Sequence, residues 1–168
     1  MSKRESTRYT LLFATAVCVV CALLVSVAAV SLQPRQAANA RLYMEKNVLL
    51  AAGLAQPGVD LSEQDVQAIF DKSIRARLVD LQTGELVPEG KIDARRYDQR
   101  KARSDPDASR VAPPNNAGIG RLPNHGIAYF IMKDDKVDQI VIAVEGLGMW
   151  GTIYGFLSLA PDGNTVRG

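Results

Sequence analysis

Residues 9 to 34 carry no charged side chain, and residues 11 to 32 are almost wholly Leu, Val, Ala, Phe and Cys. A run of this length and composition spans about 30 Å of hydrocarbon as a helix, because only intrasegment hydrogen bonds satisfy a backbone that lipid cannot solvate. It therefore reads as a membrane span. A cleaved signal peptide is the rival, with small residues around Ala28 and Ala38, but the apolar core of a signal peptide is usually about 7 to 15 residues, shorter than this one. Cys18 and Cys21 fall inside the span, and the rest of the chain has no cysteine, so no disulfide is expected outside it.

The basic flanks nearly balance, with Lys3, Arg4 and Arg8 on one side and Arg35, Arg41 and Lys46 on the other. The positive-inside rule alone therefore leaves orientation open. A short basic tail ahead of a first helix usually stays in the cytoplasm, which places the rest of the chain outside it. Formal net charge is +2, and Lys3, Arg4 and Arg8 against Glu5 account for all of it. The remainder is electrically balanced, without the basic footprint of a nucleic-acid binder.

After the span, Ala38, Leu42, Leu49 and Leu50 keep near-helical spacing between charged residues until Gly53 and Pro57-Gly58 stop the pattern. Ser62 and Asp65 form a capping box ahead of Val66, Ile69 and Phe70, so a second, short helix begins there. Residues 74 to 87 drift into period-two spacing around a Thr83-Gly84 turn and read as a first hairpin. Residues 91 to 110 set Arg95, Arg96, Arg100, Lys101 and Arg103 against Asp93, Asp98, Asp105 and Asp107 and read as solvated, partly mobile surface; residues 113 to 126 read as loop by composition. His125, the single histidine, lacks companions for a metal site. Residues 127 to 133 and 137 to 145 form a strong hairpin signal across Asp134-Asp135-Lys136.

The chemistry is sought in residues 146 to 159, GLGMWGTIYGFLSL, where Gly146, Gly148, Gly151 and Gly155 alternate with Met149, Trp150, Tyr154 and Phe156. Flat side chains beside approachable backbone suit a planar aromatic partner. Gly146, Gly148 and Gly151 also spell a dinucleotide fingerprint, but that turn must open a helix, and residues 152 to 159 are aromatic and β-branched, which favours a strand. Two readings stay open: a plain glycine-kinked hairpin, and a hairpin lining a ligand cleft. Residues 161 to 164 then turn the chain toward a further strand. A domain ending there would leave an edge unpaired, so the chain reads as cut short.

Several collinear stretches carry a resemblance: LQPRQAAN from Leu32, KNVLLAAGL from Lys46, VDLQTGE from Val79, residues 146 to 159, and DGNTV from Asp162. In this order and spacing the chain resembles the C subunit of the Na+-translocating NADH:quinone oxidoreductase. The resemblance implies an α+β fold: one N-terminal transmembrane helix, then an FMN-binding-type α+β domain with antiparallel hairpins, incomplete at the C-terminus. The expected segments are residues 1–8 as cytoplasmic tail, 9–34 as span, 35–58 as membrane-proximal helix and linker, and 59–168 as a partial extracytoplasmic domain. It implies an inner-membrane, single-pass flavoprotein that passes electrons from NADH towards ubiquinone coupled to Na+ export, with the other subunits of the complex and the lipid bilayer as partners.

FMN is the cofactor so implied, esterified in the family to a threonine of a Ser-Gly-Ala-Thr type motif. That motif is not in this sequence; Thr7, Thr10, Thr15, Thr83, Thr152 and Thr165 all lie in other contexts. Gly151 stands where the family pattern leads one to expect a serine. Met149, Trp150, Thr152 and Tyr154 are the candidate flavin contacts; no catalytic or metal-ligating set is expected. The alternative is a membrane-tethered extracytoplasmic module that binds partner proteins without flavin.

Overall fold

The computed structural model describes residues 7–168, so the expected tail of residues 1–8 lies largely outside the described part. The chain divides into two compact units, Met1–Tyr43 and Met44–Gly168. The first is the body of helix α1 (Thr7–Ala51), which is long and apolar enough to cross a membrane and buries none of its apolar window. α1 continues through Pro34, whose ring removes one backbone donor. It passes without a break from the uncharged run into the amphipathic segment, and its last residues belong to the second unit.

The second unit is α+β, with every strand pairing antiparallel, as expected. α1 ends in a Schellman motif: Leu54 N–H donates to Leu49 O at 2.9 Å and Gly53 N–H to Leu50 O at 3.0 Å. Gly53 supplies the left-handed residue at φ 69° that this closure requires. α2 (Glu63–Ser73) begins at the anticipated cap, where Asp65 N–H donates to Ser62 Oγ at 3.2 Å and Ser62 Oγ–H to the Asp65 carboxylate at 2.6 Å.

β1 (Ile74–Asp80) follows directly. The first hairpin exists only in short form: Val79 bridges Leu86, and Val87 N–H donates to Leu78 O at 2.8 Å. β4 (His125–Lys133), β5 (Lys136–Leu147) and β6 (Thr152–Leu159) make a meander, and β1 pairs with β4 to give the order β1-β4-β5-β6. Asp134 and Asp135 join β4 to β5 with φ of 50° and 59°, the two positive values of a twist-matched hairpin turn.

Two regions read as irregular carry structure. The mixed-charge run holds α3 (Gln99–Ser104), capped by Asp98, whose carboxylate accepts from the N–H groups of Arg100 and Lys101. The segment read as loop holds β3 (Arg121–Pro123), paired with β2 (Ser109–Val111), and His125 already belongs to β4. Elements of six and three residues are shorter than the window over which periodicity is legible, and propensity gave way to tertiary contacts.

The core lies on one face of the four-stranded sheet. Tyr129 is 1% exposed and meets Phe70 of α2 (2% exposed) edge-on, with ring centroids 5.8 Å apart. Phe156 of β6 approaches the same ring at 6.3 Å, and Tyr129 Oη–H points to Met44 Sδ at 3.9 Å. Arg95, from the run read as solvated, reaches in to pair with Asp71 at 2.6 Å and the buried Glu45 at 3.8 Å, with its guanidinium 5.1 Å from the Phe70 ring centroid.

Candidate functional site

Residues 148 to 151 close the β5–β6 hairpin. Gly148 N–H donates to Gly151 O at 2.8 Å, and Gly151 takes φ 152°, a backbone state that L side chains rarely adopt. A side chain at 148 would run into the Ile153 side chain, with Cβ 2.6 Å from Cδ1. A tight turn built this way has no interior, so Met149 and Trp150 project outward, 88% and 95% exposed. At Gly146 and Gly151 a Cβ would meet nothing within 4 Å, so a flat ligand could approach backbone there.

Thr152 and Tyr154 lie past the turn on one side of β6, since side chains two apart along a strand share a face. Their cross-strand partners are Leu147 and Glu145. The structure thus groups Thr152 with Tyr154 on the strand and Met149 with Trp150 at the tip. None of the four lines the surface depression formed by Ile92, Tyr97, Lys101, Ala102, Asp105 and Ala108. The hairpin presents one open wall.

Sequence reading missed what packs against that wall. Arg100 and Arg103, three apart and hence on one face of α3, both reach Tyr154. The Arg100 guanidinium carbon sits 3.8 Å from the Tyr154 ring centroid, and Arg103 Nη2–H donates to Tyr154 Oη at 3.1 Å. Arg103 Nη1 pairs with Glu145 Oε2 at 2.9 Å, the two side chains being only 21% and 17% exposed. The i, i+3 arginine spacing was the available signal, legible only if the run is taken as helix.

The turn after β6 is tied by Asp162, whose carboxylate accepts from Asn164 N–H and Thr165 N–H at 2.9 Å each and from Thr165 Oγ–H at 2.6 Å. These bonds, the hydroxyl's first, hold its pKa down at about 2. Beyond it Val166 bridges Leu159 and Ser158 N–H donates to Gly168 O at 2.7 Å, so the last residues do pair along β6.

No family model matches the chain. Among curated proteins it is 41% identical over 170 residues to the C subunit of the Na(+)-translocating NADH-quinone reductase of Pseudomonas aeruginosa, covering 100% of this chain and 64% of that protein. It is 37% identical over 169 residues to the equally named protein from Vibrio anguillarum, covering 99% of this chain and 63% of that one. The crystal structure of Shewanella oneidensis NqrC superposes with a TM-score of 0.67 at 28% identity, over 78% of this chain and 58% of that chain. The chain thus spans a little under two thirds of the length of the curated relatives it matches. Alike in sequence along its whole length and in fold over most of it, the chain is similar, over the part of them that it spans, to NqrC proteins, the C subunits of the Na(+)-translocating NADH-quinone reductases.

Proposed function

We propose that the chain serves as a membrane-anchored electron-transfer subunit of a Na(+)-translocating NADH-quinone reductase, with its second unit outside the cytoplasm and the other subunits of that complex as partners. The β5–β6 hairpin then forms one wall of an FMN site, with Met149, Trp150, Thr152 and Tyr154 as contacts. FMN, when bound, supplies the electron-transfer chemistry; the chain supplies position and electrostatics. The observation that carries this reading is the tip itself. A tryptophan and a methionine held almost fully in solvent lose contact with water on packing against a planar apolar ligand, and Gly146 and Gly151 leave backbone uncovered near them.

Trp150 is the single tryptophan, so its emission reports on the tip alone. Titration of FMN into the detergent-solubilised chain should quench that emission saturably, and Met149→Ala or Tyr154→Ala should weaken the binding. Quenching that rises without saturation, as with a collisional quencher, would remove the flavin reading. The same exposed Trp150 supports a second reading, a module that binds a partner protein through this tip, since exposed tryptophans are frequent interface anchors. Saturable quenching by a neighbouring subunit and none by flavin would select it.

A further inference from the structure

The cluster on Tyr154 is electrically unbalanced. Two guanidiniums converge on it and one carboxylate answers them. Glu145 pairs with Arg103, whereas Arg100 makes no ion pair among the described residues. Asp98, the nearest acid in sequence, directs its carboxylate to the N–H groups of Arg100 and Lys101 as a helix cap. Lys101 lines the separate depression with Tyr97 and Asp105, so its charge is not part of the cluster. One positive charge therefore rests over the Tyr154 ring beside the hairpin, its guanidinium carbon 3.8 Å from the centroid. A guanidinium held by a ring face forms no hydrogen bond through that contact, so the contact itself uses up none of its N–H donors. Arg103 differs: it is neutralised, and it fixes Tyr154 through the hydroxyl, so it positions the ring on which Arg100 lies.

We infer that Arg100 is the electrostatic partner of the flavin's pyrimidinedione edge and favours the reduced flavin over the oxidised one. The inference rests on the flavin reading of the hairpin. Neutral oxidised isoalloxazine takes two electrons from a reductant, dithionite in the test below, and one proton from water, and then carries one negative charge on that edge. A fixed cation lowers the free energy of this anion and leaves the neutral oxidised ring nearly unaffected. Arg103 contributes little, because its field is cancelled by Glu145 at 2.9 Å.

The test uses the full chain in detergent micelles at mildly alkaline pH. FMN and riboflavin are bound in turn, Trp150 emission reports occupancy, and the reduced-to-oxidised ratio of bound flavin is read against a redox dye during dithionite titration. Arg100→Gln should bind oxidised flavin about as the wild type does and lower that ratio at fixed potential by about tenfold, equivalent to about 30 mV for a two-electron couple. Arg100→Lys, which keeps the charge, should restore most of the ratio and exclude misfolding as the cause, and riboflavin should behave as FMN does. An unchanged ratio in Arg100→Gln, with wild-type binding intact, would overturn the inference and leave the flavin reading standing. A loss seen with FMN and absent with riboflavin would also overturn it, by placing the anionic pole at the phosphate. Failure of the wild type to bind either flavin would remove the flavin reading, and this inference with it.

Discussion

Replacing Phe70 by Leu tests whether ring geometry, beyond apolar area, stabilises the second unit. Phe70 is 2% exposed, meets Tyr129 edge-on at 5.8 Å with an interplanar angle of 84°, and lies under the Arg95 guanidinium at 5.1 Å. Leucine retains most of the buried apolar area and loses both ring interactions. An edge-to-face pair contributes about 0.5–1.5 kcal/mol beyond area. A cation over a ring at a partly exposed site contributes about 0.5–1 kcal/mol. The expected cost is therefore about 1–2.5 kcal/mol, against about 3–5 kcal/mol for Phe70→Ala, which also opens a cavity. Trp150 is a poor reporter of unfolding, since it is already in solvent, and the circular dichroism signal is dominated by the long α1. Pulse proteolysis across a urea series, in detergent, reads the second unit directly. With a urea dependence of about 2 kcal/mol per M, the Leu variant should shift the midpoint down by roughly 0.5–1.2 M. A Leu variant indistinguishable from wild type would refute the argument, as would Leu and Ala variants with the same midpoint.

Arg103→Met should leave the mostly buried Glu145 carboxylate without its ion-pair partner and cost about 1–3 kcal/mol in the same assay; adding Glu145→Gln should recover part of that loss, and no recovery would deny the pairing its role. Trp150→Ala should move the urea midpoint by no more than the equivalent of about 0.5 kcal/mol, because the side chain touches little; a larger loss would mean that the tip is packed. Asp162 should titrate at about 2, below the unfolded value of 3.8, so the contribution of its bonds is complete above the unfolded value and lost as pH falls through the folded one. Chemical shifts of the Asp162 carboxyl and the Thr165 amide against pH check this, and a midpoint near 4 would contradict it. Gly118→Ala should destabilise the loop by about 1 kcal/mol or more, since Gly118 sits at φ 67° and a Cβ would fall 2.8 Å from Leu147 Cβ; unchanged protection of the Leu147 amide, bonded to Ala117 O at 2.7 Å, would argue otherwise.

Long apolar patterns were readable and short polar ones were not. α1 is forced by an uncharged run, α2 by Ser62, Asp65 and the spacing of Val66 and Phe70, and the β4–β5 hairpin by two apolar stretches around paired aspartates. α3 and the β2–β3 pair offer six and three residues each, and their stability comes from partners distant in sequence. The same limit applies to the site. The glycines of residues 146 to 155 announced a hairpin, but the exposure of Met149 and Trp150 was not announced, because a glycine and aromatic pattern fits a buried hairpin or a cleft wall equally well. That Arg103 bonds the Tyr154 hydroxyl was not legible: the two are 51 positions apart, and mixed-charge composition says nothing about which cation finds which ring.

The sheet order has a kinetic consequence. β4, β5 and β6 are sequential neighbours joined by two short turns, so their pairings close small loops, whereas β1 joins β4 only across residues 81 to 124. The entropy of closing that segment must be met before any β1 contact forms, and the strand made first during synthesis therefore waits for one made much later. We expect the meander to assemble early, and β1 with α2 to dock in a late step that encloses Tyr129. Pulse-labelled hydrogen exchange should then protect the Val141 and Ile142 amides before the Arg77 amide, which faces β4 opposite Ala128, during refolding, and the opposite sequence would place the nucleus on the helix-bearing edge instead.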